Sequence, residues 1–207
     1  MSDTRQRLIE AALEVLRERG LSGLSARTIA AAADANQALI FYHFKTVEGL
    51  IEDACRVTVD AAVAAHRDRF ATAETLGDLL AVGREIHATE LAAGRVTISA
   101  QVLAGARSSE VLARAGKHAL DTWIAEIEPA LARVLRGTPI AEIADLPGLA
   151  RAIAASFIGL ELYEAVDASG SASALDALER LGILADVVTD LGPVARAAFR
   201  RRLRSKS

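Results

Sequence analysis

The chain is poor in several residue types that decide what a protein can be. It has one cysteine, one methionine, one tryptophan and four prolines in 207 residues. A single cysteine, Cys55, excludes an intrachain disulfide and any zinc cage built from cysteines. Uninterrupted apolar runs are short. The longest, AIAASFIGL (152–160), is about half of the 18 or so residues a membrane-crossing helix needs, so no membrane segment is expected. The first twenty residues, MSDTRQRLIEAALEVLRERG, carry charges throughout their apolar pattern, which fits neither a signal nor a transit peptide. Strand-length runs of β-branched or aromatic residues with period two are also missing. A reducing cytoplasmic setting fits all of these absences.

Catalytic patterns are missing in the same way. There is no phosphate-binding loop and no Ser-His-Asp arrangement that can be placed, and Cys55 has no histidine near it in sequence. No enzyme activity, cofactor or catalytic residue is therefore expected. The net charge of −3 and a pI near 5.8 argue against a protein that coats nucleic acid without selectivity. They leave room for a local site-specific patch. Residues 1–50 are balanced, with six basic residues against six acidic ones. The one biased run is the C-terminal RAAFRRRLRSKS, with six basic residues and no acid. It reads as a solvated helix end, the cations suiting the negative end of the helix dipole.

What is abundant is helix-forming. Hydrophobic residues make up 52%, inflated by alanine, and the mean hydropathy is +0.26. Leu8, Ala12, Val15 and Leu16, with the stem of Arg19, fall on one face of a first helix that Gly20 ends. Ser25 is a plausible N-cap for a short helix over 26–33. Asp34 tolerates a left-handed backbone, and Asn36 suits the cap of a second short helix over 37–43. Thr46 then caps a long amphipathic helix to about residue 70. Further helices are expected near 75–92, 95–105, 108–136, 148–167 and 173–191, with a last one after Pro193. Pro129 should kink or split the 108–136 segment, and SGSAS (169–173) reads as a loop.

Eight aromatic residues serve the whole chain (five Phe, two Tyr, one Trp), yet Phe41, Tyr42 and Phe44 flank His43 in consecutive positions. A helix followed by two short helices around a tight turn is the layout of a helix-turn-helix module, whose second short helix enters the DNA major groove. Asn36 and Gln37 offer amide contacts to adenine, and Ala38 and Leu39 can meet thymine methyls. Tyr42 and His43 offer donors to phosphate oxygens. Ile40, Phe41 and Phe44 are expected to anchor the helix from beneath.

The stretch RLIEAALEVLRERGLSGLSARTIAAAADANQALIFYHFKTVEGLI, residues 7–51, resembles the TetR family of bacterial transcriptional repressors. The resemblance implies an all-α protein of about nine or ten helices, with a helix-turn-helix DNA-binding domain over 1–46 and an effector-binding and dimerisation domain over 47–207. It implies a homodimer that pairs through its last two long helices, binds a palindromic double-stranded DNA operator and is released by a small-molecule effector. The residues expected at the DNA are Ser25, Arg27, Thr28, Asn36, Gln37, Ala38, Leu39, Tyr42, His43, Lys45 and Thr46. Val47 stands where the family often has a DNA-contacting lysine, so Lys45 or the amide end of the long helix takes that contact. Candidates for the effector are His87, Glu90, Gln101, Trp123 and Tyr163. His87 and Glu90 lie three apart on one helix face, a metal-compatible spacing; with no third ligand, a helix-surface hydrogen bond is favoured and no metal is expected. The competing reading is a helical small-molecule-binding protein or dimerisation module that does not touch DNA.

Overall fold

The structure, a computed structural model, describes residues 3–138, 140–141 and 144–189. Among them are nine α-helices and no strand: α1 (Asp3–Arg19), α2 (Ala26–Ala32), α3 (Ala38–Phe44), α4 (Val47–Thr72), α5 (Leu76–Ala92), α6 (Arg95–Gly105), α7 (Glu110–Val134), α8 (Leu146–Glu164) and α9 (Ala168–Thr189). The chain divides into two compact units, Met1–Ala65 with Ala88–Thr122, and His66–His87 with the segment from Trp123 onward. The basic C-terminal tail and the helix expected after Pro193 lie outside the described residues.

In the first unit the apolar stripe of α1 is buried at Leu8, Ile9, Ala11, Ala12, Val15 and Leu16. Its upper part packs with Ile29 and Ala30 of α2, Ile40 and Phe44 of α3, and Leu50 and Ala54 of α4. Its lower end joins Ile51, Cys55, Val102, Leu112 and Ala115. Burial pushes the Cys55 thiol up to about 11, so it behaves as a small core residue. Gly20 adopts φ 69° and donates its amide to Leu16, ending α1 at the expected residue. Gln101 of α6 braces that end, its Nε2 donating to the Leu16 carbonyl at 3.2 Å.

The second unit is held by polar ties around helix ends. Asp186 of α9 accepts from the amides of Leu76 and Gly77 at 3.0 and 3.1 Å, capping the start of α5. Arg84 of α5 pairs with Asp176 and Glu179 of α9. Arg133 of α7 donates to the carbonyls of Phe70 and Ala73, where α4 ends. Between these ties sit Phe70, Val82, Ile86 and Ala130, with Trp123, Ile127 and Phe157 packed against them.

Two expectations about helix boundaries are corrected. SGSAS is not a loop, because α9 begins at Ala168 and runs through it. The start signal is Asp167, whose Oδ1 accepts from the Gly170 amide at 2.9 Å and the Ser169 hydroxyl at 2.8 Å. The small residues that suggested a loop let the first turn of α9 sit close to α8, where the buried Ser171 donates to the Leu160 carbonyl at 3.3 Å. Nor does Pro129 split its segment; α7 is continuous from Glu110 to Val134. Proline removes one helix hydrogen bond, and the apolar contacts of Ile127, Ala130 and Leu131 on either side keep the helix intact.

The join between α3 and α4 is tightly constrained. Thr46 caps α4, its Oγ1 accepting from the Gly49 amide at 2.9 Å, and its own amide donates to the Phe44 carbonyl at 2.8 Å. A Cβ placed on Gly49 would fall 2.5 Å from that carbonyl oxygen. The neighbour here is backbone and cannot rotate away. Gly49→Ala is therefore expected to cost about 1–3 kcal/mol, read as a lower midpoint in urea or thermal unfolding.

Candidate nucleic-acid interface

The turn between α2 and α3 follows from its residues. Ser25 caps α2, its Oγ accepting from the Thr28 amide at 3.1 Å, while Thr28 Oγ1 accepts from the Ser25 amide at 3.0 Å. Thr28 also donates its hydroxyl to the Gly23 carbonyl at 2.7 Å, tying α2 to the turn before it. The chain then reverses at Asp34, a non-glycine residue at φ 46°. Asn36 Oδ1 accepts from the Ala38 amide at 2.9 Å and so starts α3. Lys45, at φ 69°, ends it.

Within α3 the side chains divide sharply. Ile40 and Phe44 are buried in the module core, and Leu39 is half-buried against it. Arg5 of α1 lies over the Phe44 ring at 5.1 Å while pairing with Asp53 of α4 at 2.5 Å. This clamps α3 between two helices. Asn36, Gln37 and Ala38 are exposed, and so are Tyr42, Lys45 and Thr46. The His43 ring is half-buried, edge-on to Tyr42 at 4.9 Å and to Phe44 at 6.1 Å. Phe41 corrects the sequence reading. It was expected among the anchors, yet it is 49% exposed, because Ile40 and Phe44 already fill the inward face of so short a helix. Val47 packs against both clusters of the unit, which accounts for an apolar residue at that position.

The balanced charge of residues 1–50 also resolves in space. Three of its six cations are spent within the protein: Arg5 on Asp53, Arg7 on Asp3 and Arg17 on Glu14. Arg19, Arg27 and Lys45 have no carboxylate partner among the described residues. Arg19 and Arg27 line a groove of about 560 Å³ floored by Thr28, Ala31 and Ala32. Arg19 and Arg27 thus share one groove along α2, and Lys45 stands at the end of α3.

The effector candidates separate. Glu90 pairs with Arg95 at 2.6 Å, which holds the arginine's proton more firmly. Gln101 braces α1, as described. Tyr163 is half exposed and donates to Asp167 at 3.2 Å, an acceptor that raises the phenol above its usual range. His87 is buried, with Nε2 2.5 Å from Glu164 Oε2 and its ring edge-on to Phe157 at 6.0 Å. Trp123 packs on Phe70 and beside His66. In sequence His66 is one of several polar candidates between residues 55 and 165 and Glu164 only a helix-face position, yet both stand in this cluster. The buried His66 Nδ1 has no hydrogen-bond partner and lies 4.0 Å from Glu85 Oε1. Among the described residues no group of three or more His, Cys, Asp or Glu is placed to hold a metal ion.

Two short helices set around a sharp turn, the second anchored by two residues and presenting amides and cations outward, define a helix-turn-helix DNA-binding module. Residues 8–54 match the family of bacterial regulatory proteins, tetR family. The fold extends the likeness. A protein described as a TetR-family transcriptional regulator from Rhodococcus sp. shares 23% identity over 92% of this chain and all of its own, with TM-score 0.71. A TetR family member from Streptomyces coelicolor A3 is 28% identical over 86% of this chain and 98% of its own, with TM-score 0.62. The multidrug binding protein EbrR, in complex with imidazole, is 27% identical over 87% and 90%, with TM-score 0.63. No curated protein sequence matches. Residues 8–54 thus carry the module by which that family is recognised, and the chain as a whole is similar in fold to these regulators.

Arg27 is exposed, has no carboxylate partner among the described residues and lies on α2, outside α3. Arg27→Ala is expected to weaken binding to every duplex alike and to lower the slope of log affinity against log salt by about 1. A fluorescence-anisotropy salt series checks both.

Proposed function

We propose that the protein is a ligand-responsive regulator that binds a palindromic operator as a homodimer and acts as a cytoplasmic repressor released by a small-molecule effector. The observation that carries this reading is the division of α3, with Ile40 and Phe44 in the core and Asn36, Gln37, Ala38, Tyr42 and Lys45 outside. Asn36 and Gln37 are the base-reading amides. Tyr42, His43, Lys45, Thr46 and Arg27 fix the helix on the phosphates. Ser25 and Thr28 serve this interface by setting α2, since their hydroxyls are already engaged with each other and with Gly23. Functionally the chain divides into a DNA-reading part, residues 1–46, and an effector-binding and pairing part, 47–207.

Pairing is supported by an apolar surface on α8 and α9. Ile153, Leu162, Val166, Leu178, Leu181, Ile183 and Val187 are all exposed. By length and mean hydropathy (1.2) α8 also meets the requirement for crossing a membrane, although its longest uninterrupted apolar run is short. Averaged over the helix, its leucines and alanines outweigh its few charges. Only 17% of that apolar window is buried. A second copy, related by a two-fold axis, covers such a surface and sets two recognition helices about 34 Å apart, one turn of duplex.

The effector is taken up among His66, His87, Trp123, Phe157 and Glu164. His66 Nδ1 is a buried atom without a partner, and Glu164 Oε2 meets His87 by proximity without an aligned hydrogen bond. Polar groups left in that condition gain from a ligand that completes them. Effector binding then favours one placement of α4 over another, and the difference in affinity between the two states is the coupling to DNA.

Two measurements test the reading. The full chain, incubated with a random-sequence duplex pool over a salt series, is expected to enrich one palindromic sequence with steep salt dependence. No enrichment over random DNA at low salt removes DNA recognition from the account. Leu181→Arg is expected to shift sedimentation from dimer to monomer, with helicity retained and operator affinity lost. A variant that still sediments as a dimer rules out pairing through α9.

A further inference from the structure

We propose that Phe41 reads the C5-methyl group of a thymine in the major groove, so that this ring helps set the operator sequence. The inference rests on the DNA-binding reading and adds a residue and a chemical group to it. Helical spacing puts Phe41 on the side of Gln37 and Ala38, four and three residues earlier. Ile40 and Phe44 take the inward-facing positions, at 0% and 7% exposure, against 49% for Phe41. The module core has partly buried companions in Leu13, Leu24, Leu39 and Val47, and Phe41 is not one of them. Nor does its ring join the edge-on series that runs from Tyr42 through His43 to Phe44. Within residues 3–46, Phe41 and Tyr42 are the large hydrophobic side chains left exposed.

The occupant follows from what surrounds the ring. Gln37, Tyr42 and Lys45 flank it on the exposed side, and α3 contains no carboxylate. The unpaired Arg19, Arg27 and Lys45 belong to the same module. An apolar ring within a polar and cationic rim is a poor seat for an apolar protein surface and a good one for a polyanion that carries a few apolar groups. Duplex DNA fits that description. Its major groove shows one apolar substituent, the thymine methyl, in a fixed place on each A·T pair. Phenylalanine lacks a hydroxyl, so it cannot serve a phosphate as Tyr42 can.

The test uses the full chain and the duplex recovered from the random pool. Each thymine of the recovered half-site is replaced in turn by deoxyuridine, which removes the methyl and keeps every hydrogen-bonding group. One position is expected to weaken wild-type binding about fourfold per half-site, the worth of one buried methyl-sized group. Phe41→Ala, folded as judged by an unchanged thermal midpoint, is expected to bind the thymine duplex more weakly and to be indifferent to uracil at that position. Phe41→Leu is expected to keep part of the sensitivity. Uracil tolerated at every position by the wild type, or an equal uracil effect in Phe41→Ala, overturns the proposal while leaving DNA recognition intact. Failure to enrich any duplex removes DNA recognition, and the role of Phe41 falls with it.

Discussion

A helix of seven residues cannot hold itself together in water, because the cost of its first turn is recovered only over a longer run. α3 is that short, so its shape is imposed entirely from outside. Ile40 and Phe44 bind it to the core, Arg5 lies over the Phe44 ring, and the Phe44 carbonyl meets the start of α4 at a glycine. Each contact fixes one side of α3 and thereby determines which side is left for another molecule. Recognition and folding are here the same partition of one set of side chains. A residue is available to the outside only because its neighbours four positions apart have been claimed by the inside.

Electrostatics follows the same logic. A count of charges cannot distinguish a cation neutralised by its own protein from one that is free to act elsewhere. In the first unit, α1 and α4 consume Arg5, Arg7 and Arg17 locally, and Arg56 shares Asp53 with Arg5. The first helix thus does its packing and its own charge balancing together. What remains of the first fifty residues lies at the end of α1, on α2 and at the end of α3. The modest acidity of the whole chain disfavours unselective adhesion to polyanions, which leaves selectivity to geometry.

Most of the fold was legible because its signals are local. Gly20, Asp34, Asn36 and Thr46 punctuate the first fifty residues where the backbone turns, and their roles follow from φ preferences and side-chain capping. Legibility failed where two elements compete for one space. Ile40, Phe41 and Phe44 look equally greasy in sequence; only the width of the gap beneath α3 shows that two fit and the third does not. SGSAS looks like a linker until α8 is beside it, at which point small side chains become the condition for close approach. Pro129 looks like a break until the apolar residues around it are seen to be buried. Nothing singled out His66 among the polar residues of its region, and Glu164 carried no ligand signal, the two being far apart in sequence and joined only by the cluster around Trp123 and Phe157.

Asp34 and Lys45, at φ 46° and 69°, bracket α3 with side-chain-bearing residues in backbone conformations that glycine adopts more easily. With glycine at both places the unfolded chain would have more freedom to lose on folding. With the residues present, the entry and exit of α3 are stiff, and its ordering is settled before any duplex arrives. On the function proposed above, a correct and an incorrect sequence then meet the same ready-made edge at similar rates. They differ in how soon they leave, so discrimination is written in the lifetime of the complex rather than in the frequency of encounters.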